Sequence, residues 1–387
     1  MKKKITILLI ILYLCFLVQG LNDGVLGVAW PEIRQEMALP LEYAGFLTIV
    51  AFTSYSIVSS QFGKISKFIK PQKIALGGIF LMVIANFGFF IAPLFFLLII
   101  FIGLIAAGQA LIESSISSFL AKHFTARHIT WGLCFWGMGA SISPLIMSQI
   151  ILFFNWRFGY LAIVLIQAVI GFILYASIKN GIWIKDGVAS RKIKEKIPIK
   201  INLSYQLLQM SIFFIFTGTQ TAMGFWVHSV MLESRGLSVV EAGLYPALFF
   251  GFIMIGRIIF GSLAGRLSNM WLIRIGLCIA LIGIMILILR TNIFAIMLIG
   301  FGLSPVYPCL IHETTRRFNP QALDRQMGFQ LSAAGFGEII SFLMGFILAI
   351  ISLEFLFPIV FALLSATFII NEILELQVIK KIRKQKG

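Results

Sequence analysis

Long apolar stretches recur along the whole chain, and short polar connections separate them. Each stretch approaches or exceeds the roughly 20 residues that a helix needs to cross the hydrocarbon core of a bilayer. Because lipid offers no hydrogen-bond partner to the backbone, each stretch is predicted to be helical. The pattern predicts twelve spans, at residues 5–30, 41–62, 72–92, 94–121, 129–153, 157–179, 203–230, 239–264, 270–290, 293–315, 326–351 and 353–376.

The chain matches itself when it is shifted by 198 residues. Six glycines then coincide, which is more than chance would give. The pairs are Gly20/Gly218, Gly45/Gly243, Gly63/Gly261, Gly78/Gly276, Gly137/Gly335 and Gly139/Gly337. Two apolar halves that share small-residue positions predict a duplicated membrane bundle, an architecture typical of secondary transporters.

The composition agrees with an all-α polytopic membrane protein, since 59% of the residues are hydrophobic and 12% are charged. The longest polar connection runs from Asn180 to Lys200 and lies at the repeat boundary. We therefore expect an N-terminal six-helix bundle at 1–180, a cytoplasmic linker at 181–200 and a C-terminal six-helix bundle at 201–387.

The net charge of +16 reflects membrane topology rather than nucleic-acid binding. On a twelve-span map, 26 of the 31 basic residues fall on one side. By the positive-inside rule both termini are expected in the cytoplasm, with the chain in a bacterial inner membrane. Lys2–Lys4 also resemble the start of a signal peptide. No small-residue cleavage site follows, so a retained first helix is favoured.

No catalytic, nucleotide-binding or metal-binding spacing is visible, so neither an enzyme nor a cofactor is expected. The four cysteines lie inside predicted spans and are expected to be packing residues. They are Cys15, Cys134, Cys278 and Cys309.

The first span carries a distinctive motif of glycine, polar and Trp-Pro positions, formed by Gly20, Asn22, Asp23, Gly24, Gly27, Trp30 and Pro31. Further motif positions along the chain are Glu113, Ala121, His123, Gly137, Gly139, Pro144, Trp156, Arg157, Gly236, Gly243, Arg257, Pro305, Pro308 and Gln330. Together they resemble the major facilitator superfamily, and more narrowly its fucose/galactose/glucose–proton symporter branch with uncharacterised bacterial relatives. The resemblance covers nearly the whole chain and implies a twelve-helix transporter that works as a monomer.

Three positions depart from the family pattern and disfavour a simple hexose as the solute. Gln220 stands where relatives usually carry a glutamate, and Ser117 replaces an asparagine in the fourth span. Trp136 aligns with an asparagine that helps to hold the sugar in sugar-carrying members.

Two carboxylates inside the membrane are the predicted proton-coupling residues, Asp23 and Glu113. A charge at the centre of a membrane helix costs about 3 kcal/mol or more, so such residues usually have a function. A carboxyl group that alternately faces each side of the membrane can take up and release a proton. The alternative is that both acids only anchor the packing of neighbouring helices.

Other polar and aromatic residues within the spans are candidates for binding the solute. They are Asn22, Gln109, Trp136, Gln220, Trp226, His312 and Glu338. His312 and each aromatic side chain have a structural alternative. Small and bending residues are expected at helix contacts and gates, together with one arginine. These are Gly137, Gly139, Pro144, Arg257, Gly335 and Gly337.

The leading hypothesis is a proton-coupled symporter of a small polar, sugar-like solute that works by alternating access. A second hypothesis is an efflux antiporter for drugs or metabolites, although Ser143 and Pro144 lack the glycines of that family's motif. A third is a non-transporting sensor or lipid-handling scaffold. Flux in liposomes separates the third hypothesis from the first two.

Overall fold

Twelve helical stretches of the structure, a computed structural model, are long and apolar enough to cross a membrane. The structure describes residues 2–124, 126–183, 203–263, 266–317, 326, 329–330 and 332–386. The helices are α1 (Lys2–Glu36), α2 (Tyr43–Ile65), α3 (Pro71–Ile91), α4 (Phe95–His123), α5 (Ala126–Phe153), α6 (Trp156–Lys179), α7 (Leu203–Ser229), α8 (Val239–Leu263), α9 (Asn269–Leu289), α10 (Ile293–Leu303), α11 (Val306–Arg317), α12 (Ile339–Ile350) and α13 (Leu356–Lys386). The prediction of twelve spans in an all-α protein is confirmed.

The first span is longer than predicted. Helix α1 continues to Glu36 through Pro31 instead of ending at residue 30. Membrane helices tolerate an internal proline because neighbouring groups compensate for the lost hydrogen bond. The seventh span also extends, since α7 continues as a π-helical turn over Val230–Ser234.

Two spans of the second half are interrupted near their middle. The tenth span breaks between α10 and α11 at Ser304 and Pro305, where the proline lacks an N–H to donate. The Phe301 carbonyl instead accepts a hydrogen bond from Ser304 Oγ at 2.7 Å. The eleventh span, which begins at residue 332, breaks in a turn at Gly337–Glu338 before α12 starts. Neither break was predicted from the sequence.

Equivalent glycines make equivalent contacts in the two halves. A Cβ atom on Gly139 would clash with the α1 backbone, and one on Gly337 would clash with the α7 backbone. Gly45 approaches Phe342 across the boundary between the halves, and its partner Gly243 approaches Ser148 in the same way. The repeat in the sequence therefore corresponds to repeated helix packing, with α5 against α8 and α2 against α12 joining the two bundles.

We call the membrane side where α1 begins the terminal side, and the opposite side the far side. On the far side an ion pair joins the bundles, between Arg34 at the end of α1 and Glu233 in the π-helical turn. Gly27 lies against the Phe225 backbone nearby, because a Cβ there would be 2.5 Å from the carbonyl oxygen. At the terminal-side end of α2, nothing lies within 4 Å of a Cβ added to Gly63.

Each half also has its own far-side ion pair, with the charges exchanged between the halves. Arg157 of α6 binds Glu36 of α1 at 2.7 Å. Arg235 binds Glu354 at 2.8 Å in the second half. These pairs fasten helices within a bundle, whereas the Arg34–Glu233 pair connects the bundles.

The domain boundaries at 180 and 200 stay predictions, because residues 184–202 lie outside the described residues. None of the four cysteines forms a disulfide. Cys15, Cys134 and Cys309 are buried, whereas Cys278 is exposed, so the packing role predicted for Cys278 is wrong.

Candidate functional site

Asp23 faces an open space between the two bundles. It is exposed, although residues 24–31 that follow it along α1 are buried or nearly so. Its Oδ1 accepts a hydrogen bond of 2.7 Å from Gln109 Nε2 of α4. Its Oδ2 accepts one of 2.6 Å from Trp136 Nε1 of α5. Both donors are uncharged, so the carboxylate is oriented by the scaffold without being neutralised by it.

Glu113, on α4, lies in the same region as Asp23. Tyr55 Oη of α2 donates a hydrogen bond to Glu113 Oε2 at 2.6 Å. Glu113 also interacts electrostatically with Asp23. The two predicted proton-coupling acids therefore lie close enough to influence one another, and each has a neutral hydrogen-bond donor.

The second half adds one acid and one phenol to this region. Glu338 lies at the break in the eleventh span and interacts electrostatically with Asp23. Tyr307 of α11 interacts in the same way with Glu113 and Arg257. We call the space bordered by Asp23, Glu113, Trp136, Arg257 and Glu338 the central cavity. Interrupted helices near the middle of the membrane are a common setting for solute sites in transporters.

Trp136 links the acid of one bundle to a cation of the other. The Cζ atom of Arg257, on α8, lies 5.2 Å from the centroid of the Trp136 ring. The indole thus offers its face to the guanidinium and its N–H to Asp23. Arg257 Nε and Nη1 are buried and have no hydrogen-bond partner among the described residues. The described ion pairs do not include Arg257 either.

Asn22 points into the first bundle rather than toward Gln109 or Trp136. Its Oδ1 accepts a hydrogen bond of 2.9 Å from Asn86 Nδ2 of α3. The same Asn86 amide donates to Gln167 Oε1 of α6 at 3.1 Å. These three amides connect α1, α3 and α6, so the described contacts of Asn22 are structural.

The remaining solute-binding candidates are spread out. Trp226 is fully buried, and its Nε1 donates to the Ser341 carbonyl at 3.1 Å, so its placement gives no support to the predicted solute contact. Gln220 is half-buried on α7, and His312 is exposed on α11. Their predicted roles stay predictions.

The predicted packing residues lie at helix contacts. Pro144 of α5 meets Gly24 of α1, which the sequence did not single out for packing: a Cβ on Gly24 would lie 2.6 Å from the Ala140 carbonyl and 2.7 Å from Pro144 Cδ. Pro144 cannot donate to that carbonyl, four residues earlier, so the helix is open to bending there. A Cβ on Gly137 would lie 3.0 Å from Met254 Cβ of α8, and one on Gly335 would lie 2.8 Å from Phe52 of α2.

Sequence reasoning missed Tyr55, Tyr307, Asn86 and Gln167. The two amides carry a detectable signal, because each stands in the middle of an apolar span. The two tyrosines do not, since the chain has 53 aromatic residues, of which 38 are phenylalanines. Among the described residues, no group of three His, Cys, Asp or Glu side chains is arranged to hold a metal ion.

Comparisons with known proteins agree with this architecture. The sequence model of the Major Facilitator Superfamily matches residues 12–342, and the chain belongs to this superfamily. FucP, a superfamily transporter solved in an outward conformation, is 17% identical, with 95% of this chain and 98% of that chain covered at a TM-score of 0.64. An inward-facing bacterial homologue of the iron transporter ferroportin is 16% identical, with 98% and 99% covered at a TM-score of 0.69. At these identities the similarity establishes the fold.

Proposed function

We propose that this superfamily member is a proton-coupled symporter that carries a small polar solute by alternating access of its two bundles. Membership of the superfamily makes it a secondary transporter. The observation that carries the finer proposal is the environment of Asp23 and Glu113. Both carboxyl groups border the central cavity, and the hydrogen bonds described for them come from neutral donors.

This environment suits a proton carrier. A carboxylate held by an arginine or lysine would stay ionised, because the cation favours its charged form. A carboxyl group held by amide, indole and phenol groups can be charged or neutral as the cavity changes sides. Loading of Asp23 and Glu113 from one side and release to the other would couple the solute to the proton gradient.

The described contacts between the bundles also support alternating access. The far side is closed by the Arg34–Glu233 pair and by the close approach of Gly27 to Phe225. Opening of the far side requires these contacts to separate, while the terminal side closes. We propose that the chain works as a monomer in a bacterial inner membrane, with the terminal side in the cytoplasm, as the distribution of basic residues favours.

The test is uptake into proteoliposomes with an imposed acid-outside gradient, with labelled sugars, sugar acids and organic acids as probes. We expect the wild type to accumulate at least one probe and to lose accumulation when the gradient is collapsed. The Asp23→Asn/Glu113→Gln variant should equilibrate the same probe without accumulating it. Wild-type accumulation that is independent of the gradient, or full accumulation by the double variant, would refute the proposal.

The direction of transport has its own test. An efflux antiporter would move a probe out of the vesicles as protons enter, whereas a symporter moves both in the same direction. Proton uptake that accompanies loss of a preloaded probe would favour the antiporter.

A further inference from the structure

Arg257 is a cation beside the central cavity, and the described residues give it no counter-charge. It lies in α8, which packs against α5 of the other bundle. Its Nε and Nη1 atoms have no hydrogen-bond partner, and no carboxylate lies within ion-pair distance of it among the residues described. Burial of a charge without a partner is unfavourable. Arginine remains charged in a protein, so this guanidinium cannot avoid that penalty by losing its proton.

The neighbours of Arg257 do not supply the missing anion. The titratable groups that interact with it are the Cys134 thiol and the Tyr307 phenol, both of which are neutral in their ordinary protonated forms. The Trp136 ring lies under the guanidinium at 5.2 Å and attracts it through its face. A ring face accepts no strong N–H hydrogen bond, so Nε and Nη1 still have no partner among the described residues.

Trp136 also keeps Asp23 from acting as the counter-ion. The indole N–H donates to Asp23 Oδ2 at 2.6 Å, while the face of the same ring carries Arg257. Gln109 holds the other carboxylate oxygen at 2.7 Å. The site therefore places an acid at the edge of one aromatic side chain and a cation over its face.

We propose that the transported solute is a small organic anion whose carboxylate or phosphate group binds Arg257. The planar fork of a guanidinium matches both groups and can bind them through two parallel hydrogen bonds. Trp136 and Phe250, whose ring centroids are 6.0 Å apart, offer an aromatic wall beside the same position for the rest of the molecule. The inference rests on the proposed transport function and defines its substrate class.

This assignment changes the role expected for Arg257. The sequence placed it among the gate and packing residues. The described gate contact on the far side instead uses Arg34 and Glu233, with Arg257 elsewhere, beside the cavity. Symport of a monoanion with one proton would be electroneutral, which fits a cavity that contains both a cation and titratable acids.

The experiment measures binding to the purified full-length protein in detergent by its thermal stability, because a bound solute raises the melting temperature by mass action. The probes are three matched pairs of anion and neutral analogue. They are D-glucuronate with D-glucose, glycerol 3-phosphate with glycerol, and benzoate with benzyl alcohol. We expect at least one anion to raise the melting temperature, while its neutral analogue does not at the same concentration.

The variants are chosen to separate binding from folding. Arg257→Gln should weaken binding of that anion at least tenfold. Arg257→Lys keeps the charge without the planar fork, so its affinity should lie between those of the wild type and Arg257→Gln. Arg290→Gln removes the same charge from an exposed position at the end of α9 and should bind as the wild type does. If Arg257→Gln does not fold, the Lys variant alone still decides, since the inference requires its binding to be weaker.

Three results would overturn the inference: no anion in the panel stabilises the protein, the neutral analogues stabilise it equally well, or the Arg257 variants bind the anion with wild-type affinity. Binding needs no proton gradient, so failure of the proposed function can be distinguished from failure of this inference. Anion binding through Arg257 without proton-linked flux would refute the coupling alone, whereas proton-linked flux of neutral probes alone would refute this inference alone.

Discussion

Arg34 and Glu233 provide the sharpest prediction about the conformational change, because their ion pair joins the two bundles on the far side. Removal of the pair by Arg34→Gln should favour the far-side-open conformation. The side chains are 25% and 17% exposed, between the exposed and the buried cases. Exposed pairs contribute about 0.2–1 kcal/mol, and breaking a buried pair costs about 3–5 kcal/mol. We therefore expect about 2 kcal/mol, which corresponds to a ~30-fold shift of the closed-to-open ratio.

The assay is a distance distribution between two spin labels on the far side. Cysteines introduced at the exposed residues Phe154 and Leu289 carry the labels, in a background without the native cysteines. The wild type should give mainly the shorter distance, and Arg34→Gln should add a longer one. The exchanged variant Arg34→Glu/Glu233→Arg should restore the shorter distance, because the pair is rebuilt with its charges reversed.

The matched control is Arg157→Gln, which breaks an ion pair on the same side but within one bundle. It should lower the melting temperature without changing the distance distribution. An unchanged distribution in Arg34→Gln, or an equal shift in Arg157→Gln, would refute the inference that the Arg34–Glu233 pair holds the two bundles together on the far side.

Three further predictions concern packing and coupling. Gly139→Ala places a methyl group against the α1 backbone and should cost about 1–3 kcal/mol in a melting experiment. Gly63→Ala places its methyl group where nothing lies within 4 Å and should reduce the free energy of unfolding much less. Equal losses of stability in the two variants would contradict the close packing described for Gly139. Tyr55→Phe removes the described donor to Glu113 and should slow gradient-driven uptake about tenfold or more, since a hydrogen bond to a charged group contributes about 1.5–3 kcal/mol. Unchanged uptake in this variant would contradict the role of Tyr55. Trp136→Phe keeps the ring face but removes the N–H, so anion binding should survive while proton-driven accumulation falls, and loss of both together would contradict the separation of roles.

The sequence predicted the twelve spans because the length of an apolar stretch and the absence of backbone partners in lipid determine where helices cross. It also predicted the duplication, since close helix packing needs a glycine at fixed places. Gly139 and Gly337 illustrate this, as each admits a neighbouring backbone that any side chain would exclude. The break at Gly337–Glu338 was missed because a glycine in an apolar span is usually a packing residue, and no proline marks the turn.

The candidate site was predicted residue by residue but not as a network. Asp23, Gln109 and Trp136 were each singled out from polarity or position, yet their hydrogen bonds depend on how α1, α4 and α5 rotate against one another. The rotation of α7 likewise buries Trp226, which the sequence placed among the solute-binding candidates. A periodic pattern does not fix this rotation when a helix is apolar on every side.

The central claim is that Asp23 and Glu113 couple solute movement to protons. Its most direct test is the internal pH of proteoliposomes loaded with a pH-sensitive dye, recorded as each labelled sugar, sugar acid or organic acid probe is added outside without an imposed gradient. The account predicts that a transported probe acidifies the lumen of wild-type vesicles. In Asp23→Asn/Glu113→Gln vesicles the same probe should exchange without acidification. Probe entry without acidification in the wild type, or acidification that persists in the double variant, would contradict the account.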